Sequence, residues 1–507
     1  MLVPARSDAA VAARTSRALR VASVSAETWL LVGIVGVGAW LRFSSLGAQS
    51  YWFDEAQAAH ELHLSFGSML SGISGVETNP PLYFLVGWVW AHVFGAGEVG
   101  LRSLSALAGT AVIVIAYLCG RELVSRPAGL VAAALTALSP FMIWYSQEAR
   151  EYMLLAAMSG ASLLYFARAW HEPSKGNIVG WAIFSALAVM THSFAAFLVA
   201  PEALWLLYVI RSRAIAIAAA AVAAVQLAVL PFLLTHATSH LLGFINGTPL
   251  GTRLQDVPAV FAIGTPYDGQ VAHLGLLAAA ALAAVVIPLL LIGADSAQLR
   301  GAGAAAALAA VTILVPLVVA LLGEDYFIQR ALIPAWIPLA IVVGAACTTP
   351  RARIAGGALA AVLLAGCVSI QIHIDGNPQY QRPDWRGVAA ALGPSPSGGR
   401  AIVAYDGSFA IDPLATYLPG VAWTQPAGGA VSVGEIDVIG HRWQALGSPL
   451  PTGTRLIGTT KAVNDFLVAR FAVEPAHSIS RPQILAGASA LLGPAPPSGV
   501  VLVQHPS

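Results

Sequence analysis

The chain has 507 residues, of which 57% are hydrophobic and only 10% charged, with a mean hydropathy of +0.74 and a formal net charge of +1. So much apolar side chain exceeds what a water-soluble core of this length buries, which excludes a soluble protein. The near-zero charge excludes a binder of nucleic-acid phosphates, which needs clustered Lys and Arg.

The head carries Arg6, Arg14, Arg17 and Arg20, and the first apolar run ends in Trp40-Leu41-Arg42-Phe43 rather than at a small-residue cleavage site. This predicts an uncleaved first helix preceded by a cytoplasmic tail, residues 1–26. The basic short connections, around Arg121 to Arg126, Arg168 to Lys175, Arg211 to Arg213, Arg300, and Arg351 to Arg353, should face the cytoplasm. That parity predicts about eleven crossings: 27–46, 99–120, 127–145, 152–170, 178–192, 193–210, 214–234, 271–292, 301–322, 327–346 and 354–372. The apolar stretch 80–94 is too short for a span and opens with Pro80-Pro81, so it reads as a non-crossing juxtamembrane or re-entrant helix in the first outer loop, 47–97.

Near residue 374 the composition changes. Asn377-Pro378, Pro394, Pro396 and Gly398-Gly399 break the chain, and 401–404 and 500–503 read as strands. The expected fold class is therefore an all-α polytopic membrane protein, with a transmembrane unit over 27–373 and a small C-terminal α/β extracytoplasmic domain over 374–507. A multi-pass plasma-membrane location follows. Cys119, Cys347 and Cys367 lie in apolar runs without metal-ligand spacing, so neither a disulfide nor a zinc site is expected.

Polar residues gather in four outer connections. The first holds WFDEA, with Asp54 and Glu55, and continues through His60 and His63; the second is YSQEAREY, with Glu148, Arg150 and Tyr152. The third surrounds His192, and the fourth is GEDYFIQR, with Tyr326 and Arg330. Ionisable groups at membrane depth are costly and normally have partners. For Glu148, Arg150 and His192, solvation among lipid headgroups is the competing explanation. For two adjacent acids in an aromatic connection it is weaker. His60 and His63, one helical turn apart, could share a metal with Asp54, although a lone pair of this spacing is a weak signal.

Such a set suits glycosyl transfer from a phosphate-linked sugar. A carboxylate takes the acceptor's proton and cations hold the charge left on phosphate. Asp54 would be the base, and Arg102, Arg150 and Arg330 a phosphate clamp with Tyr326 as an added donor. The chain has no P-loop and no Rossmann glycine fingerprint, so the lipid-phosphate bond would be the energy source.

The order WFDEA (52–56), NPPLYF (79–84), GLRSLSALAG (100–109), SPFMIWYSQEAREY (139–152), TH (191–192), YFIQRALIPAWIPL (326–339) and QRPDWRGVA (381–389) resembles the PMT-like, family 39 branch of the GT-C glycosyltransferases. The resemblance runs over roughly residues 28 to 390. It implies a catalytic carboxylate at Asp54 with Glu55 beside it, and a donor-phosphate contact at Arg102. Glu148, Arg150 and Arg330 match the family less closely. The tail does not resemble the β-trefoil of eukaryotic protein mannosyltransferases. Some relatives use a divalent metal; the absence of a DxD pair here points to metal independence and no cofactor.

The expected activity is inverting transfer of a mannose- or pentose-type sugar from a polyprenyl-phosphate donor to a cell-envelope glycan, lipid or protein, with Glu55, Arg102, Glu148, Arg150, Tyr152, His192, Tyr326 and Arg330 binding substrate. The rivals are a flippase or transporter of lipid-linked sugars, which would spread charge along a path across the membrane, and a non-catalytic envelope-assembly partner. No internal repeat is found, which counts against transporters built from duplicated halves.

Overall fold

The computed structural model describes residues 25–76, 79–237, 245, 247–264, 269–404, 411–418, 420–423, 430–441, 453–457, 461–464, 466–480, 482–486 and 500–504. The head arginines Arg6, Arg14, Arg17 and Arg20 and part of the long outer loop 235–270 lie outside the described residues.

Among the described residues, nine helices are long and apolar enough to cross a membrane. They are Ala26–Phe43, Glu98–Leu123, Tyr152–His171, Ser193–Ile210, Arg213–Pro231, His273–Gly293, Ser296–Leu321, Gln329–Cys347 and Arg353–Asp375. Two of the eleven expected crossings take another form. The segment 127–145 is a pair of helices, Arg126–Leu138 and Pro140–Ser146, bent by 58°, and counts as a tenth span if the pair crosses as one. The segment 178–192 is a shorter apolar helix, Lys175–Thr191, of 17 residues. The stretch 80–94 forms a 13-residue helix, Leu82–Phe94, beside the helices Phe53–His63 and Phe66–Val76.

The bend has a local cause. Pro140 has no N–H and its ring obstructs the preceding turn, so Arg126–Leu138 stops one residue short of Ser139, whose hydroxyl accepts from Met142 N and starts the next helix. The freed carbonyls need donors, and Arg42 of the first helix supplies them: its guanidinium donates to the oxygens of Ala137 (3.0 Å) and Thr136 (2.8 Å). Arg42 is consequently wholly buried rather than interfacial.

Small residues bring the helices together. A Cβ on Gly120 would lie 2.6 Å from Cα of Gly129, so the helices Glu98–Leu123 and Arg126–Leu138 touch backbone to backbone.

After Asp375 the chain forms a sheet with strand order 421–423, 500–504, 400–404, 430–441, 466–480 and 454–456, with 461–463 also pairing to 466–480. Arg400–Ala404 runs parallel to Ala430–His441, and the other pairings are antiparallel. Two short helices, Trp385–Leu392 and Ile411–Tyr417, cover one face through Trp385, Val388, Leu392, Leu414 and Leu418.

This tail sits on the segment between the first two membrane helices. The Tyr417 hydroxyl donates to Glu98 Oε1 (2.6 Å) and accepts from the N–H of Tyr51 (2.7 Å). Arg386 pairs with Glu98 at 3.2 Å and donates to the carbonyls of Gly47 and Ala48. The docking surface continues onto the helix that carries Asp54, against which the helix Ile411–Tyr417 packs.

Candidate active site

Asp54 and Glu55 occupy the first turn of the helix Phe53–His63, where carboxylates complement the helix dipole. Their neighbours differ. Asp54 Oδ2 lies 3.1 Å from Arg330 Nη1, with both side chains partly open to solvent. Glu55 is wholly buried, and its Oε1 and Oε2 accept from Arg102 Nε (2.7 Å) and Nη2 (2.6 Å). Oε1 also accepts from the N–H of Ala149. Burial pushes the Glu55 carboxyl upward, but the Arg102 and Arg382 guanidinium groups and these hydrogen bonds outweigh it, leaving the group below the usual glutamate range.

The remaining donors of Arg102 go to the carbonyls of Leu46, Gln49 and Ser50. A guanidinium has five N–H donors, and here all are used. Glu55 and Arg102, both expected to contact substrate, satisfy each other and fix the loop 46–50, with every donor of Arg102 spent within the protein.

Arg330 sits between aromatic faces, 5.5 Å from the Trp52 ring and 5.6 Å from that of Tyr152. Its segment is anchored nearby. Asp325 pairs with Arg253, which also donates to the carbonyl of Phe327, and Gln329 donates to the carbonyl of Arg253. Arg253 and Asp325 did not stand out in the sequence, because Arg253 falls in a stretch that reads as an ordinary connection.

The YSQEAREY connection folds under Asp54. Arg150 pairs with Glu151 at 3.0 Å and donates to the backbone carbonyl of Asp54 at 3.4 Å, while Asn79 donates to Glu151 Oε1 at 2.8 Å. Arg150 thus holds the backbone that carries the acid. Glu148 is nearly inaccessible and receives a hydrogen bond from Arg382 Nη2 at 3.2 Å. Burial, reinforced by the charges of Glu55 and Asp54, pushes its carboxyl up to about 7 against the pull of Arg382 and Arg330.

Arg330 and Glu148 line one cavity of about 250 Å³ with Trp52, Trp144, Tyr145, Val260, Ile328, Gln329, Gln379, Gln381, Arg382 and Pro383. Arg382 comes from the linker to the tail. Its motif was visible in the sequence, but nothing there signalled a return to the site. Of the expected site residues, Glu148 and Arg330 line this cavity, and Asp54 reaches it only through its contact with Arg330. Tyr326 donates to Glu324 at 3.2 Å instead. His192 is buried, and its Nδ1 accepts from the N–H of Phe194 at 3.1 Å, capping a turn as an unprotonated nitrogen.

The acids do not fit a divalent cation. Asp54, Glu55 and Glu148 each face a guanidinium, and among the described residues no group of three or more His, Cys, Asp or Glu side chains converges. His60 and His63 do not join Asp54 in such a group.

Residues 78–236 match the family described as dolichyl-phosphate-mannose-protein mannosyltransferase, a stretch that contains Arg102, Glu148, Arg150, Tyr152 and His192. No curated protein matches the chain in sequence. Among solved structures, the Archaeoglobus fulgidus oligosaccharyltransferase is 15% identical with a TM-score of 0.42, over 72% of this chain and 55% of its own. The S. cerevisiae protein O-mannosyltransferase Pmt1-Pmt2 complex is 19% identical with a TM-score of 0.34, over 44% of this chain and 34% of its own. ArnT from Cupriavidus metallidurans is 13% identical with a TM-score of 0.38, over 88% of this chain and 98% of its own. The chain thus spans about half the length of the archaeal protein and a third of the yeast one.

Proposed function

We propose that this chain is a GT-C glycosyltransferase of the PMT-like branch and an inverting enzyme, a reading supported by the family match over residues 78–236. It moves a mannose- or pentose-type sugar from a polyprenyl-phosphate carrier to a cell-envelope acceptor at the outer membrane face. Asp54 is the general base. The N-terminus is cytoplasmic, and residues 374–507 form the extracytoplasmic domain.

The observation that carries this reading is the Asp54–Arg330 ion pair beside a cavity whose wall includes Arg330 itself. Arg330 sits where it can leave the carboxylate for an entering phosphate, which uncovers the base as the donor binds. The acceptor hydroxyl then gives its proton to Asp54. Its oxygen bonds to the anomeric carbon opposite the leaving group, and the electron pair of the broken bond goes to the phosphate oxygen. The phosphate passes from a diester with one negative charge to a monoester approaching two, and nearby guanidinium groups stabilise that gain. Arg150 positions the base by holding the Asp54 backbone, and Trp52 and Tyr152 position Arg330.

The test offers purified protein a panel of polyprenyl-phosphate monosaccharides, sugar-labelled, with an envelope extract. Release of one polyprenyl phosphate for each sugar transferred supports the proposal. Absence of transfer from every donor contradicts it.

A further inference from the structure

We infer that Arg382, in the linker between the last membrane helix and the tail, is a ligand of the donor's phosphate that Glu148 holds until the donor binds and that the phosphate then takes over. This deepens the proposed function and rests on it.

Arg382 lies where a bound headgroup would be. Its side chain is 3% exposed, its guanidinium lies 4.3 Å from the centre of the Trp144 ring, and it forms part of the cavity wall. Its satisfaction is incomplete. Nη2 is shared between Glu148 Oε2 and the carbonyl of Trp144, each at 3.2 Å, whereas Nε is buried with no hydrogen-bond partner, its nearest acid being Glu55 at 3.9 Å. Glu148 Oε1 is also buried without a partner. A buried donor and a buried acceptor left unspent on the members of one ion pair are costly. The neighbouring Glu55–Arg102 pair, by contrast, uses all five guanidinium donors.

The chemistry of the pair favours exchange. Glu148 is surrounded by Arg382 and Arg330 but also by Glu55 and Asp54, and its carboxyl stands near neutrality, so it gives up its charge readily when a second anion approaches. A phosphate oxygen can then occupy the Nε and Nη2 donors side by side, the forked geometry in which arginine binds phosphate best. The charge added to the phosphate as the sugar leaves strengthens that contact.

The linker is fixed firmly enough to present the group. Gln49 bonds to Gln381 and accepts from the N–H of Arg382 at 3.0 Å, and Ser50 Oγ donates to the carbonyl of Pro383 at 2.9 Å. The loop that holds it is the one Arg102 organises. The acid-bearing helix and the linker arginine thus share one support.

The test compares binding of a short-chain prenyl monophosphate with that of the parent prenyl alcohol, using the full-length protein in detergent and tryptophan fluorescence as the readout. The wild type is expected to prefer the phosphate. Arg382→Gln should weaken phosphate binding by about tenfold or more and leave the alcohol unchanged, which also reports an intact fold. Glu148→Gln should strengthen phosphate binding several-fold, because it removes the competing anion. A purely structural pair predicts the same sign for both variants. Unchanged phosphate binding in Arg382→Gln, or weakened binding in Glu148→Gln, overturns the inference while leaving the proposed function in place. A wild type that binds phosphate and alcohol equally overturns both.

Discussion

Glu55 and Arg102 share two hydrogen bonds, of 2.7 and 2.6 Å, at a point where neither side chain is more than 1% exposed. Adjacent Asp54 instead faces an arginine at the edge of a cavity. Two neighbouring acids therefore differ in their surroundings: Glu55 holds the loop, and Asp54 is the one the proposed function uses as its base.

Breaking the buried pair on one side should be severe. Glu55→Ala or Arg102→Ala leaves an uncompensated buried charge, a loss of about 3–5 kcal/mol. Thermal unfolding in detergent should show a large drop in Tm for either single variant. A double replacement by methionine should recover much of it.

Arg330 and Tyr326 should separate cleanly. Arg330→Gln removes the partner of Asp54 and is expected to lower kcat/KM about a hundredfold or more. Tyr326→Phe removes only a hydroxyl that donates to Glu324, so it should remain within about twofold of wild type.

Glu148 makes the fold pH-sensitive in a defined direction. Its folded pKa, about 7, stands above the ordinary glutamate value of 4.5, so the folded state binds the proton more tightly. The stabilisation is fully present below about 4.5 and is lost as pH rises through about 7. The difference in Tm between wild type and Glu148→Gln should therefore shift against the wild type across that window and level off above it. At 1.36 kcal/mol for each pH unit, the span amounts to about 3 kcal/mol.

Tail docking can be tested at one hydroxyl. Tyr417→Phe removes the bridge between Glu98 and the Tyr51 N–H, worth about 1–2 kcal/mol. Limited proteolysis should cut the linker faster in this variant, and transfer should fall with it.

The membrane helices were legible because apolar length is a physical requirement of the bilayer, and Asp54 stood out as a candidate because two acids in an aromatic connection have little other reason to be there. The division of labour between Asp54 and Glu55 was not legible. Sequence shows a charge at membrane depth without showing whether its partner is the protein or a ligand, so Arg102 read as a phosphate contact although its donors are spent on Glu55 and three carbonyls. Tyr326, which donates to Glu324, and His192, which caps a turn, read as substrate contacts on the same ground. The arginine at 382 read as part of the tail, because only the fold of the linker brings it back beside Glu148. In the tail, the long strands Ala430–His441 and Phe466–Ser480 escaped because Gly434 and Pro475 interrupt their alternation.

The most direct measurement is sugar transfer from a polyprenyl-phosphate donor by Asp54→Asn, compared with wild type at equal folded concentration. The account predicts that kcat falls by about a hundredfold or more while binding of the lipid phosphate survives, since general-base catalysis contributes about 10²–10⁴-fold. Full transfer by a folded Asp54→Asn protein would contradict it.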